Sequence, residues 1–130
     1  MDRETMLRRV MSLIGITDMQ EADQATRVVL LALADTLSPK EAHDMASQLP
    51  KEYRDLVMGR LGEPGHTPQK MSWQSLVGRV QSELDLEKPE QAEHVTRSVF
   101  TALKEAISPG EIEDILPELP LELQETVRTA

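Results

Sequence analysis

Two arginines carry the most suggestive chemistry in the chain. Arg27 follows Thr26 beside an apolar run, Arg97 follows Thr96 in a matching setting, and each is succeeded one segment later by an aspartate, Asp44 or Asp114. A guanidinium held against buried residues is costly without a partner, and a carboxylate matches its planar fork with two hydrogen bonds. Arg27–Asp44 and Arg97–Asp114 therefore read as structural clamps between neighbouring helices. An anion-binding pair of arginines is one alternative. Solvent exposure, with the aliphatic stems lying on apolar surface, is the other.

The remaining reactive side chains make no catalytic pattern. Glu90 and His94 are four apart with Glu93 adjoining, yet two ligands do not hold a zinc ion and no His-Glu-x-x-His exists. His43 and His66 belong to no such group and read as surface residues, so neither metal nor cofactor is expected. The chain has no Cys, no Gly-x-Ser-x-Gly elbow and no glycine-rich phosphate loop, which leaves no recognisable nucleophile or nucleotide cradle. Glu111, Glu113, Asp114 and Glu118 crowd one segment, and no Lys or Arg occurs from Glu105 to Gln124. Such a run reads as a solvated face able to steer a basic partner.

A small chain must position these residues. Its 130 residues suit one domain over residues 1–130, large enough to bury a real core. Hydrophobic residues make up 39% but aromatics only 2%, so aliphatics and Met must fill that core. Asp and Glu outnumber Lys and Arg 23 to 14, a net charge of −9. That field repels polyphosphate and few rings are available for stacking, so no nucleic-acid partner is expected. The first residues lack the apolar run of a signal peptide and no stretch matches a membrane span, so the expectation is a cytoplasmic protein without a membrane partner.

The sequence aligns with itself, without a gap, at a shift of 70 positions. Arg9-Val10 falls on Arg79-Val80, Thr26-Arg27 on Thr96-Arg97, Ser38-Pro39 on Ser108-Pro109 and Leu49-Pro50 on Leu119-Pro120. About seventeen identities in about fifty-eight pairs far exceed chance, and shared helical period would not reproduce Ser-Pro-x-Glu. The reading is an all-α fold of two tandem four-helix repeats, residues 3–58 and 73–130, joined by a Gly- and Pro-rich linker over 59–72. Each repeat alone would be marginal, so the two are expected to pack with pseudo-two-fold symmetry into one domain.

Within each repeat the helix signals are local. The second helix is expected from about Asp18 to Leu37 and its copy from Gln91 to Ile107. Ser38-Pro39-Lys40-Glu41 and Ser108-Pro109-Gly110-Glu111 place Ser at the N-cap and Pro at the first helical position, with Glu41 or Glu111 reaching back to the Ser amide. Pro50 and Pro120 open the last helices, and Pro117 should cut the third helix of the second repeat short.

As a set these residues are recognisable. Thr26-Arg27-Val28-Val29-Leu30, Ser38-Pro39-Lys40-Glu41-Ala42 and Gln48-Leu49-Pro50-Lys51-Glu52-Tyr53-Arg54 resemble the bacterial family catalogued as domain of unknown function 2267, over nearly the whole chain. The second half departs from the pattern at Glu118 and at Leu121-Glu122-Leu123-Gln124. The resemblance implies a bacterial, all-helical tandem repeat; it supplies no activity and no catalytic residue.

The halves differ in character. Met6, Met11, Val28, Leu30 and Leu31 give the first an apolar excess, where the second has Ser98, Phe100 and Thr101 at the last three positions. That excess reads as an interface, with a second copy in a homodimer or an unidentified protein partner. The functional expectation is thus a non-enzymatic protein-interaction or scaffolding module. The alternative is an enzyme or small-ligand binder with a cleft between the repeats near Arg27 and Arg97.

Overall fold

Eight α-helices and one 3₁₀ turn, with no strand, make up the ordered elements in a computed structural model that describes residues 1–130. They are α1 (Arg3–Ile14), α2 (Met19–Thr36), α3 (Pro39–Ala46), α4 (Lys51–Leu61), α5 (Trp73–Glu83), α6 (Pro89–Ala106), α7 (Pro109–Ile115) and α8 (Leu121–Thr129), with the 3₁₀ turn at Leu116–Glu118.

The helix starts follow from capping chemistry. Asp2, Asp18, Ser38, Ser72 and Ser108 each accept a hydrogen bond from a backbone N–H of the first turn, satisfying a donor that has no partner inside the helix. Pro39 and Pro109 sit where no N–H is needed. Pro117 has no amide to continue α7, and the chain tightens there into the 3₁₀ turn. Helix α6 begins at Pro89, earlier than the expected Gln91, because Pro89 supplies a preset first-turn φ. Helix α4 continues to Leu61, so the connector is free of helix only from Gly62 to Ser72.

Helices α2 and α6 lie at the centre. Helix α2 packs against α1, α4, α5 and α6, and α6 against α1, α2, α5 and α8, while α3 meets α7. Buried apolar residues from all eight helices form a single cluster. In both central helices a threonine stands inside that cluster, and Thr26 and Thr96 donate to the carbonyls of Ala22 and Ala92 one turn back. No hydroxyl is stranded, which allows these positions to be fully buried.

Two ion pairs tie early helices to late ones. Arg9 on α1 donates through Nε and Nη2 to Glu105 on α6, at 2.8 and 2.9 Å. Arg79 on α5 donates to Asp35 on α2 at 2.9 Å, and Asp35 also accepts from Arg60 on α4 at 3.0 and 2.9 Å. The connector folds back here, with the Gln69 amide donating to the Asp35 carbonyl. No helix is long and apolar enough to cross a membrane.

Candidate functional site

The ends of α1 and α5 set up a cleft. Both helices stop at a residue in the left-handed region, Gly15 at φ 90 and Asp85 at φ 54. The next amide then closes back on the helix, Ile16 N–H to Met11 O at 3.1 Å and Leu86 N–H to Gln81 O at 2.9 Å, in the manner of a Schellman ending. Ile16 and Leu86 are thereby turned towards the first turns of α2 and α6. They join Ile14, Leu84, Ala25 and Val95 around a cleft of about 480 Å³ with Glu21, Gln24, Gln91 and His94 among its lining residues. Every lining residue has its counterpart 70 positions away in the set: Ile14 and Leu84, Ile16 and Leu86, Glu21 and Gln91, Gln24 and His94, Ala25 and Val95. His94 Nε2 lies 3.0 Å from the Ile14 carbonyl at the end of α1, so its ring is held at the rim.

A second site lies where α3 meets α7. The Ser38 amide and hydroxyl both donate to Glu118, at 2.7 and 2.8 Å. The Ser108 amide donates to the Gln48 side chain at 2.6 Å. Both Ser amides are therefore occupied from the other half of the chain, and Glu41 and Glu111 are displaced from the reciprocal capping role expected of them. They face each other instead. Oxygens of Glu41, Asp44 and Glu111 lie within 4.8 Å of one another. Oε2 of Glu41 and Oε2 of Glu111 are buried without a hydrogen-bond partner, and Glu111 is only 8% exposed. Burial, and next the Glu41 carboxyl beside it, push the Glu111 carboxyl up to about 7. The only ammonium at hand is Lys40, 3.0 Å from Asp44 and 3.4 Å from Glu41.

A raised folded-state value means that the proton on Glu111 stabilises the fold. That stability is complete below the ordinary carboxyl range and is lost as pH rises through about 7. In chelator-treated solution Glu111→Gln is expected to exceed wild type by about 1–3 kcal/mol at pH 8, with the gap closing by about pH 5. Urea unfolding at the two pH values measures this; equal stabilities at pH 8 would refute the crowding.

The family described as "Uncharacterized conserved protein (DUF2267)" matches residues 3–126. The chain belongs to that family. No curated protein matches the chain. Membership in DUF2267 assigns no chemistry to its residues.

Within this DUF2267 chain the expected arginine clamps do not form. Arg27 Nε donates to Asp23, four residues back on the same helix, at 3.1 Å. Asp23 also accepts from the Tyr53 hydroxyl at 2.7 Å and stands 3.4 Å from Arg3. Burial, then this hydrogen bond, raise the Tyr53 pKa. Asp44 is taken by Lys40. Arg97 lies 5.0 Å over the Trp73 ring, a cation–π contact, and Asp114 is exposed. The ion pairs that join the first half of the chain to the second use Arg9 and Arg79. The sequence carried their signal: both arginines repeat, and the positions of Asp35 and Glu105 are both acidic.

The residues expected at an interface differ in exposure. Met6 and Leu30 are fully buried, and Met11, Val28 and Leu31 are half-buried. Helix α2 has α1, α3, α4, α5 and α6 as neighbours, and Val28 and Leu31 stay partly exposed among them. The caps at Ser38 and Ser108 do form, through the amides of Glu41 and Glu111. His66, read as a surface residue, has a side chain only 7% exposed, because the connector lays it beside Asp35.

Proposed function

We propose that this DUF2267 protein is a non-enzymatic binding module whose ligand enters the cleft between two tandem four-helix repeats related by a pseudo-two-fold axis. The carrying observation is the cleft, lined by five residue pairs that are 70 apart. The reciprocal ties support the same symmetry, since Arg9–Glu105 and Arg79–Asp35 exchange partners at that spacing, as do Ser38–Glu118 and Ser108–Gln48. The volume falls within the range of small-molecule sites, roughly 300–1,000 Å³. Aliphatic walls with one carboxylate, two amides and one imidazole suit a neutral or weakly basic amphipathic molecule. Arg27 and Arg97 are not among its lining residues, which moves the site away from where the repeats alone suggested it.

N-phenyl-1-naphthylamine, a neutral aromatic amine, serves as the probe. Wild type is expected to enhance its fluorescence saturably at one site per chain. Gln24→Trp should abolish the enhancement while circular dichroism and melting stay unchanged, because Gln24 is an exposed helical position whose larger side chain would lie over the cleft. Enhancement that survives in Gln24→Trp, or none in wild type, would remove the reading. A protein-interaction or scaffolding role is the second reading. It is favoured by Leu121, 82% exposed within a stretch that lacks Lys and Arg, and calls for a basic partner.

A further inference from the structure

We propose that Glu41, Asp44 and Glu111 form a binding site for one hard divalent cation such as Ca²⁺. Three features carry this beyond a mere gathering of acids. First, the three carboxylates come from two helices, and their oxygens already lie within 4.8 Å of one another. Ligand oxygens on one bound Ca²⁺ stand at most about 5.2 Å apart, twice the longest bond of about 2.6 Å, so the three carboxylates can reach a single ion together.

Second, Glu111 is more than nine-tenths buried, and its Oε2 is buried with nothing to bond to. A desolvated carboxylate oxygen without a donor is costly. The local geometry forces this arrangement, because Glu118 and Gln48 have taken the Ser amides that Glu41 and Glu111 would otherwise cap. A hard cation satisfies the stranded oxygens of Glu41 and Glu111 at once, and all-oxygen donors select Ca²⁺ over softer metals.

Third, the opposing positive charge is small. Lys40 is the sole ammonium on the cluster, and its side chain is 79% exposed, free to swing away. The matching position on α7 is Gly110. Asp114, whose charge also bears on Glu111, adds to the field. A bound ion would tie α3 to α7 and so pin the two halves together.

Calorimetric titration of the folded chain with CaCl₂ at pH 8 tests the site, with melting followed in parallel. One Ca²⁺ per chain and a raised melting temperature are expected. Glu111→Gln should weaken binding by about tenfold or more, as loss of a metal's supporting groups does. Lys40→Ala, which removes the competitor and no ligand, should tighten it. The assignment is overturned if the folded wild type binds no calcium at millimolar levels, the carboxylates then sharing a proton only. It is equally overturned if Glu111→Gln binds as well as wild type, or if Lys40→Ala fails to tighten binding.

Discussion

Leu30→Asp is expected to prevent the chain from folding, and Leu30→Ala to cost about 2–5 kcal/mol, measured by urea unfolding. Leu30 is fully inaccessible in the middle of α2, and its counterpart 70 residues on, Phe100, is 1% exposed at the matching point of α6. A carboxylate at position 30 would have no route to water, so it must either be neutralised or open the core. Leu30→Ala instead leaves a void that the surrounding helices close only in part. If position 30 were part of a docking face, both variants would stay folded and change only the sedimentation behaviour. A folded, stable Leu30→Asp chain would therefore restore the interface reading.

That contrast shows what a single sequence conveys and what it withholds. Helix starts were legible because capping is local: Ser38-Pro39 and Ser108-Pro109 hold all the atoms of the turn within a few residues. The inward stripe of α6 was legible for the same reason, since Val95, Val99, Ala102 and Leu103 recur at helical spacing and are all buried. On α2 the seven apolar residues Val28–Ala34 gave no stripe, and nothing local distinguished the fully buried Leu30 from the half-buried Val28 and Leu31. The neighbours of α2 decide that, and α5 and α6 among them are distant in sequence.

The partners of the polar residues were hidden by distance as well. Arg9 meets Glu105 across 96 residues and Ser38 meets Glu118 across 80. A capping-box rule applied to Ser38-Pro39-Lys40-Glu41 assigns Glu41 to the Ser amide because it considers only four residues. Glu118 wins that amide because it reaches both the N–H and the hydroxyl, a two-point contact that Glu41 cannot match. The displaced Glu41 and Glu111 then make the carboxylate cluster. The cluster was thus illegible for a definite reason: it is the product of a long-range bond defeating a local one. Aligning the halves gave the one available clue, because Gln48 and Glu118 occupy matching positions and both can accept.

Asp35→Ala is expected to cost about 2–3 kcal/mol at pH 7, less than the full cost of opening a sealed ion pair because Arg60 and Arg79 keep some access to water. Burial by itself would raise the Asp35 carboxyl, but hydrogen bonds from Arg60 and Arg79 outweigh it and hold the group below its ordinary value. Stability from a depressed carboxyl is present above its unfolded-state value of about 3.9 and is lost as pH falls through the lower folded one. Wild type should therefore converge on Asp35→Ala below about pH 4, read from thermal melts across pH. Glu105→Ala provides the control. It occupies the matching place on α6 and loses the matching arginine, Arg9, yet both of those side chains are about two-fifths exposed, and exposed pairs contribute little. A far smaller loss is expected there, and salt should erase it while leaving the Asp35 effect standing. Equal losses at the two sites would mean that position in the fold, rather than burial, sets the strength of these ties.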